Sequence, residues 1–252
     1  MKRSLPVFLI LLISFDVMAQ TKAKPEDTEV WSPVPKIVTP GRMNSDPPSD
    51  AVVLFNGTDL NAWVSAADTT KPAKWIVQNG LVKVDKAAGD IQTKAKFTDY
   101  QLHIEWRVPE NITGEGQARG NSGIFLAAVE GGGYELQVLD SYINKTYVNG
   151  QAGSMYKQHI PLANPTRPPG EWQVYDVIWT APRFKDTALV SPARVTVLFN
   201  GVLVQNNVAL KGTTQYIGQP YYKAHGAAPI RLQAHGDKSE PISFRNIWLR
   251  PL

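Results

Sequence analysis

From residue 51 onward the chain is a series of short apolar or alternating runs separated by Gly, Asn, Asp and Pro. AVVLF, WIVQ, LVKV, QLHIEWRV, SGIFLAAV, YELQVLD, QVYDVIW, RVTVLF, VLVQN, PIRLQAH and ISFRNIWL all have strand length and are rich in β-branched or aromatic residues. No long stretch sustains a helical period. Asn79-Gly80 joins WIVQ to LVKV and Asn200-Gly201 joins RVTVLF to VLVQN, and each pair predicts a tight type I′ hairpin. About eleven strands with almost no helix predict an all-β fold, an antiparallel two-sheet β-sandwich or jelly roll.

Alternation assigns faces within each strand. In QLHIEWRV, His103, Glu105 and Arg107 point one way, and Leu102, Ile104, Trp106 and Val108 the other. Glu135 and Gln137 share a face of YELQVLD, with Asp140 opposite unless a bulge rotates it. Arg231, Gln233 and His235 share a face of IRLQAHG. A sandwich normally leaves one face of each sheet wet, so polar stripes alone do not require an active site. These stripes, however, carry Glu, Gln, His and Arg among large apolar neighbours, groups suited to bonding sugar hydroxyls or moving protons.

The N-terminal region differs in texture. Lys2 and Arg3 precede the apolar run Leu5 to Ile13 and then Val17-Met18-Ala19, which predicts a signal peptide over residues 1–19 and an exported protein, periplasmic or secreted. Residues 20–50 hold six prolines and few apolar residues, and predict an extended arm. Residues 51–252 form the predicted sandwich domain. Between Asn144 and Gly170 lies the longest stretch with no clear strand, and a loop of this length is expected to border a site.

The formal charge of +4 is small and scattered, which argues against nucleic acid as a partner. Without cysteine there is no disulfide framework and no thiolate metal site. The chain has no nucleophile elbow, phosphate loop, His-Glu-x-x-His or calcium loop. Its four histidines, at 103, 159, 225 and 235, lack tight ligand spacing. A divalent metal ion held by His with Glu105 or Glu135 stays open as a cofactor.

A series of segments then resembles a known family. LFNGTDLNAW, NSGIFL, GYELQVLD, GEWQVYDVIW, the second LFNG, and IRLQAHG followed by FRNIWLRPL resemble, in order, the DUF1080 or 3-keto-disaccharide hydrolase domain family, over roughly residues 52–252. The resemblance implies a concanavalin A-like lectin/glucanase sandwich, a carbohydrate partner, and activity on 3-keto-glycosides. A ketone at C3 acidifies the C2 proton, so a base could remove it and the C1 oxygen could leave, with water adding afterwards. On this reading Glu135 or Glu105 is the base and His235 the acid or the partner of the enolate. Gln137, Asp140, Asn121, Gln233 and His103 would hold the substrate, and Tyr156 and Lys157 would close over it. A lectin-like binding module and a glucanase-like glycoside hydrolase are the alternatives on the same fold.

Overall fold

The computed structural model describes residues 23–252, so the signal-peptide reading lies outside the described residues. The chain divides into two compact units at Ile37 and Val38. Residues 23–37 of the first unit hold no strand and one short 3-10 turn, at Pro25–Thr28. The second unit is the sandwich.

In chain order the strands are β1 (Val52–Phe55), β2 (Trp63–Ser65), β3 (Ile76–Gln78), β4 (Leu81–Lys83), β5 (Ile91–Thr93), β6 (Tyr100–Arg107), β7 (Ser122–Val129), β8 (Gly132–Val138), β9 (Gln173–Thr180), β10 (Arg183–Lys185), β11 (Ala188–Ser191), β12 (Arg194–Phe199), β13 (Val202–Ala209), β14 (Arg231–Leu232) and β15 (Ser243–Pro251). All eleven expected runs appear among them, and β2, β5, β10 and β11 are additional short strands. Asn79, Gly80, Asn200 and Gly201 all have positive φ, as the two type I′ hairpins require.

One sheet of the sandwich has eight strands, in the order β13-β12-β9-β6-β15-β4-β3 with β1 also on β15; the other has five, in the order β2-β5-β14-β7-β8, and β10 and β11 pair as a separate two-stranded hairpin. The pairings are antiparallel. The inner faces supply the core: Leu102, Ile104 and Trp106 from β6 are buried with Tyr134, Leu136 and Val138 from β8. Two buried tyrosines tie the sheets while satisfying their own hydroxyls. Tyr100 Oη donates to the Leu126 carbonyl at 2.6 Å and Tyr175 Oη to that of Gln137 at 2.8 Å. Since inner positions alternate with outer ones, this packing forces Glu135 and Gln137 onto the outer face of the five-stranded sheet.

Candidate active site

Strand β8 is the last of its sheet, and an open edge there would expose unpaired backbone groups. Two loops occupy it. Gln137 N donates to the Ser154 carbonyl at 3.0 Å, Tyr156 N to Glu135 O at 3.0 Å, and Thr214 N to Gly133 O at 2.7 Å. These backbone bonds raise the 144–170 and 211–221 loops as walls beside the outer face of β8. Between the walls lies a cavity of about 720 Å³, floored by Phe125, Glu135 and Gln137 and flanked by Asn121, Gln233, His235, Tyr156 and Lys157. Seven residues expected at the site thus share one concavity: Glu135, His235, Gln137, Asn121, Gln233, Tyr156 and Lys157.

The Glu135 side chain lies across Gly123, where a Cβ would sit 2.5 Å from Oε1, so the absence of a side chain on β7 makes its room. Among the described residues no hydrogen bond reaches its carboxyl oxygens, although its backbone N–H donates to Thr214 Oγ1 at 3.1 Å. Burial pushes the carboxyl up to about 7; Arg231 opposes the rise and Asp90 adds to it. A proton acceptor with that affinity is half-charged near neutral pH, the optimum for a general base.

The other polar groups are held in place from behind. His235 Nδ1 bonds to Asp237 Oδ2 at 2.8 Å, which leaves Nε2 as the ring nitrogen for a ligand. Asp237 is itself fixed by Ser239 and by Lys86 Nζ at 3.1 Å. Burial raises the Asp237 carboxyl, but hydrogen bonds from Ser239, His235 and Lys86 outweigh it and hold the group low. Gln137 Nε2 donates to Gln117 Oε1 at 3.1 Å and Asn121 Oδ1 at 3.3 Å. Among the described residues Gln137 Oε1 and Gln233 Oε1 are buried without a donor.

On the far wall Tyr147 Oη and Tyr156 Oη lie 2.5 Å apart, and Lys157 Nζ sits 4.4 Å from the Tyr216 ring centroid while donating to the Tyr216 carbonyl at 2.5 Å. Burial raises both tyrosines above their ordinary value, so they stay protonated as donors. Among the described residues no group of three or more His, Cys, Asp or Glu side chains has a metal-holding arrangement.

Three expected site residues are not brought into this cavity. His103 and Glu105 lie on β6, in the middle of the eight-stranded sheet rather than in the five-stranded one. There His103 Nδ1 pairs with Asp176 at 2.7 Å and stacks on Trp248, while Glu105 Oε2 accepts from Arg245 Nε at 2.5 Å and Oε1 from Asn246 at 2.9 Å. Ser45 covers this network, its carbonyl accepting from Asn246 Nδ2 at 2.8 Å and Trp248 Nε1 at 2.9 Å. Burial lowers His103, but the Asp176 and Glu105 bonds prevail and lift it to about 9. Burial raises Glu105, but His103, Asn246 and Arg245 prevail and bring it to about 2. Glu105 is therefore locked as an ion-pair partner. Asp140, past the end of β8, is buried against Arg119, which donates from Nε at 2.6 Å, and its Oδ1 caps Tyr142 N.

Gln117, Tyr147, Thr214 and Tyr216 also line the cavity and were not expected. They come from irregular segments with no period to read. The only signal was the length of the 144–170 loop, which does line the cavity through Tyr147, Tyr156 and Lys157. Of the four histidines, His159 bonds the Ala209 carbonyl and His225 bonds Tyr134, away from the cavity floor.

A Parabacteroides distasonis ATCC 8503 protein, described as a candidate glycosyl hydrolase, has a crystal structure that superposes with a TM-score of 0.85 at 57% sequence identity, covering 91% of this chain and 97% of that one. A second protein so described from the same organism, at 21% identity and a TM-score of 0.57 over 81% of this chain and 94% of the other, shares the fold. A 3-keto-disaccharide hydrolase of Bacteroides thetaiotaomicron (strain ATCC 29148) is 27% identical over 152 residues, which are 48% of this chain and 49% of that protein. The match thus spans about half the length of that curated relative. Residues 50–250 match the family model described as the 3-keto-alpha-glucoside-1,2-lyase-like domain, and the chain belongs to that family of carbohydrate-active hydrolases.

Proposed function

We propose that this protein cleaves the glycosidic bond of 3-keto-glycosides by elimination, with Glu135 as the base. The observation that carries the reading is a buried carboxyl, free of hydrogen bonds among the described residues, on the floor of a polar cavity and pushed up to about 7. Glu135 removes the C2 proton that the C3 ketone acidifies, and the electrons pass into the enolate. As the enolate collapses, the C1–O bond breaks, the leaving oxygen takes a proton, and an enone remains. Water adding to that enone makes the net reaction a hydrolysis.

His235 supplies the proton to the leaving oxygen from Nε2, held there by its bond to Asp237. The Tyr147–Tyr156 hydroxyl pair beside Lys157 provides donors and positive potential for the enolate oxygen. The orphan acceptors of Gln137 and Gln233 call for donors, which sugar hydroxyls supply. The Lys2-Arg3 and Leu5 to Ile13 pattern supports export of the enzyme.

The test is incubation with 3-keto-glucosides and with their unoxidised parents, followed by mass spectrometry, using wild-type, Glu135→Gln and Glu105→Gln proteins. Cleavage of the keto substrates alone, lost in Glu135→Gln and kept in Glu105→Gln, is the expected result. Equal cleavage of the parents, or full activity in Glu135→Gln, removes the proposed chemistry.

A further inference from the structure

The outer face of the five-stranded sheet carries a second cavity, and the strand register shows how the two are related. Val64 on β2 pairs with Gln92 on β5, Gln92 with Arg231 on β14, Arg231 with Phe125 on β7, and Phe125 with Glu135 on β8. Directly paired residues of antiparallel strands point to the same side, so these five side chains form one row across the sheet. Phe125 and Glu135 floor the site described above. Val64 and Gln92 floor a second cavity of about 510 Å³, bounded by Arg231 and Gly131, and Gly131 borders both cavities.

At ~4.8 Å per strand the row is about 19 Å long from Val64 to Glu135, a span that a single sugar ring cannot bridge. Arg231 stands at the divide. Its guanidinium lies 4.0 Å over the Phe125 ring and donates to the Gly131 and Gly132 carbonyls at 3.0 and 2.9 Å.

The two halves differ in chemistry. The first is walled by tyrosines and amides. Among the described residues no aromatic side chain lines the second; Lys94, Lys96, Thr69 and Gln92 offer donors around it. One carboxylate also lines it: Glu130, which pairs with Lys223 at 2.5 Å, while Asp90 lies 3.5 Å from Arg231 Nε. Among the described residues neither Lys94 nor Lys96 forms an ion pair, and with Arg231 they give the lining three cationic side chains against one carboxylate.

We infer that the second cavity binds an acidic group on the distal part of an oligosaccharide whose reacting ring sits over Glu135. The shared chemistry is an anionic sugar substituent, a uronate carboxylate or a sulfate ester. This rests on the reading of the first cavity as a glycoside site and adds to it that the substrate is extended and negatively charged at its far end.

Calorimetric titration of the full protein with three trisaccharides tests the inference. One ends in glucuronate, one is its carboxyl-reduced neutral counterpart, and one is a neutral trisaccharide bearing a terminal 6-sulfate. An acidic trisaccharide is expected to bind about tenfold tighter than the neutral one at low ionic strength, the sum of two exposed ion pairs. That preference should shrink to about twofold or less in a Lys94→Gln/Lys96→Gln protein and in about 0.5 M salt, where exposed charges are screened. It should persist in Glu135→Gln, which lies in the other half. Preference for the carboxylate alone identifies a uronate, and for the sulfate alone a sulfated sugar.

Equal affinity for all three, no binding of any, or a preference that survives the double substitution overturns the inference. Cleavage of 3-keto-glycosides by a protein without charge preference would leave the proposed reaction standing and remove this inference alone. A salt-sensitive preference in a protein inert towards 3-keto-glycosides would do the reverse.

Discussion

Replacing Glu135 by Gln separates what this carboxyl does for function from what it costs the fold. The side chain keeps its shape but can no longer ionise. In the native protein burial pushes the group from its ordinary 4.5 up to about 7, with Arg231 only partly offsetting the loss of water. At ~1.36 kcal/mol per pH unit, that rise corresponds to about 3 kcal/mol between the two protonation states. The folded state holds this proton more tightly than the unfolded chain, so between pH 4.5 and about 7 the native state binds the extra proton. Stability from this group is complete below 4.5 and is lost as pH rises through 7.

Glu135→Gln has no such loss. Its stability relative to wild type should increase by about 3 kcal/mol between pH 4.5 and 8, measured by urea denaturation at closely spaced pH values. The same protein should lose cleavage of 3-keto-glycosides by about 10²- to 10⁴-fold, the usual cost of removing a general base. Wild-type kcat/KM should rise with pH through an apparent pKa of about 7. A stability difference that does not change with pH would show that the carboxyl is well solvated, and the argument for a desolvated base would fail. Stabilisation without loss of turnover would leave the burial intact but assign the base elsewhere.

Gly123→Ala should act through the same carboxyl: the added Cβ would lie 2.5 Å from Glu135 Oε1, the far end of a flexible side chain. We expect kcat to fall at least about tenfold with stability within about 1 kcal/mol of wild type, and an unchanged kcat would mean the carboxyl position is not critical. Asp237→Asn should lower kcat about tenfold or more and leave KM nearly unchanged; a loss of folded protein with an unchanged kcat per folded molecule would reduce Asp237 to a structural role. Glu105→Gln should leave turnover within about twofold but destabilise the protein by about 1–2 kcal/mol, a figure discounted because Arg245 is 41% exposed. The Glu105 contribution is complete above 4.5 and lost as pH falls through about 2, whereas that of His103 is complete below 6.5 and lost as pH rises through about 9. Denaturation near pH 3, 5.5 and 9.5 should find the wild-type advantage over Glu105→Gln largest at the middle value.

The sequence by itself determined eleven of the fifteen strands, two hairpins and the alternation that sets neighbouring polar residues of one run on a common face. These are local properties: alternation follows from the two-residue repeat of extended backbone, and Asn-Gly adopts positive φ without help from distant residues. It also sufficed to group Glu135 with Gln137, and Gln233 with His235, because each pair sits within one run. Alternation could not say which outer face each stripe belonged to. His103-Glu105 and Glu135-Gln137 have the same pattern, yet one stripe lies on the eight-stranded sheet, pinned by Arg245, Asn246 and the Ser45 carbonyl, and the other floors a cavity. That division depends on which strands pair and which loops cover the edges, contacts between residues far apart in the chain. Tyr147, Thr214 and Tyr216 were hidden for the same reason, since irregular loops have no period and are positioned only by the β8 edge they close. Asp140 looked like a site residue until Arg119, 21 positions away, proved to hold it. The carboxylates themselves are plain in the sequence; only tertiary packing left one without a partner and gave the other three.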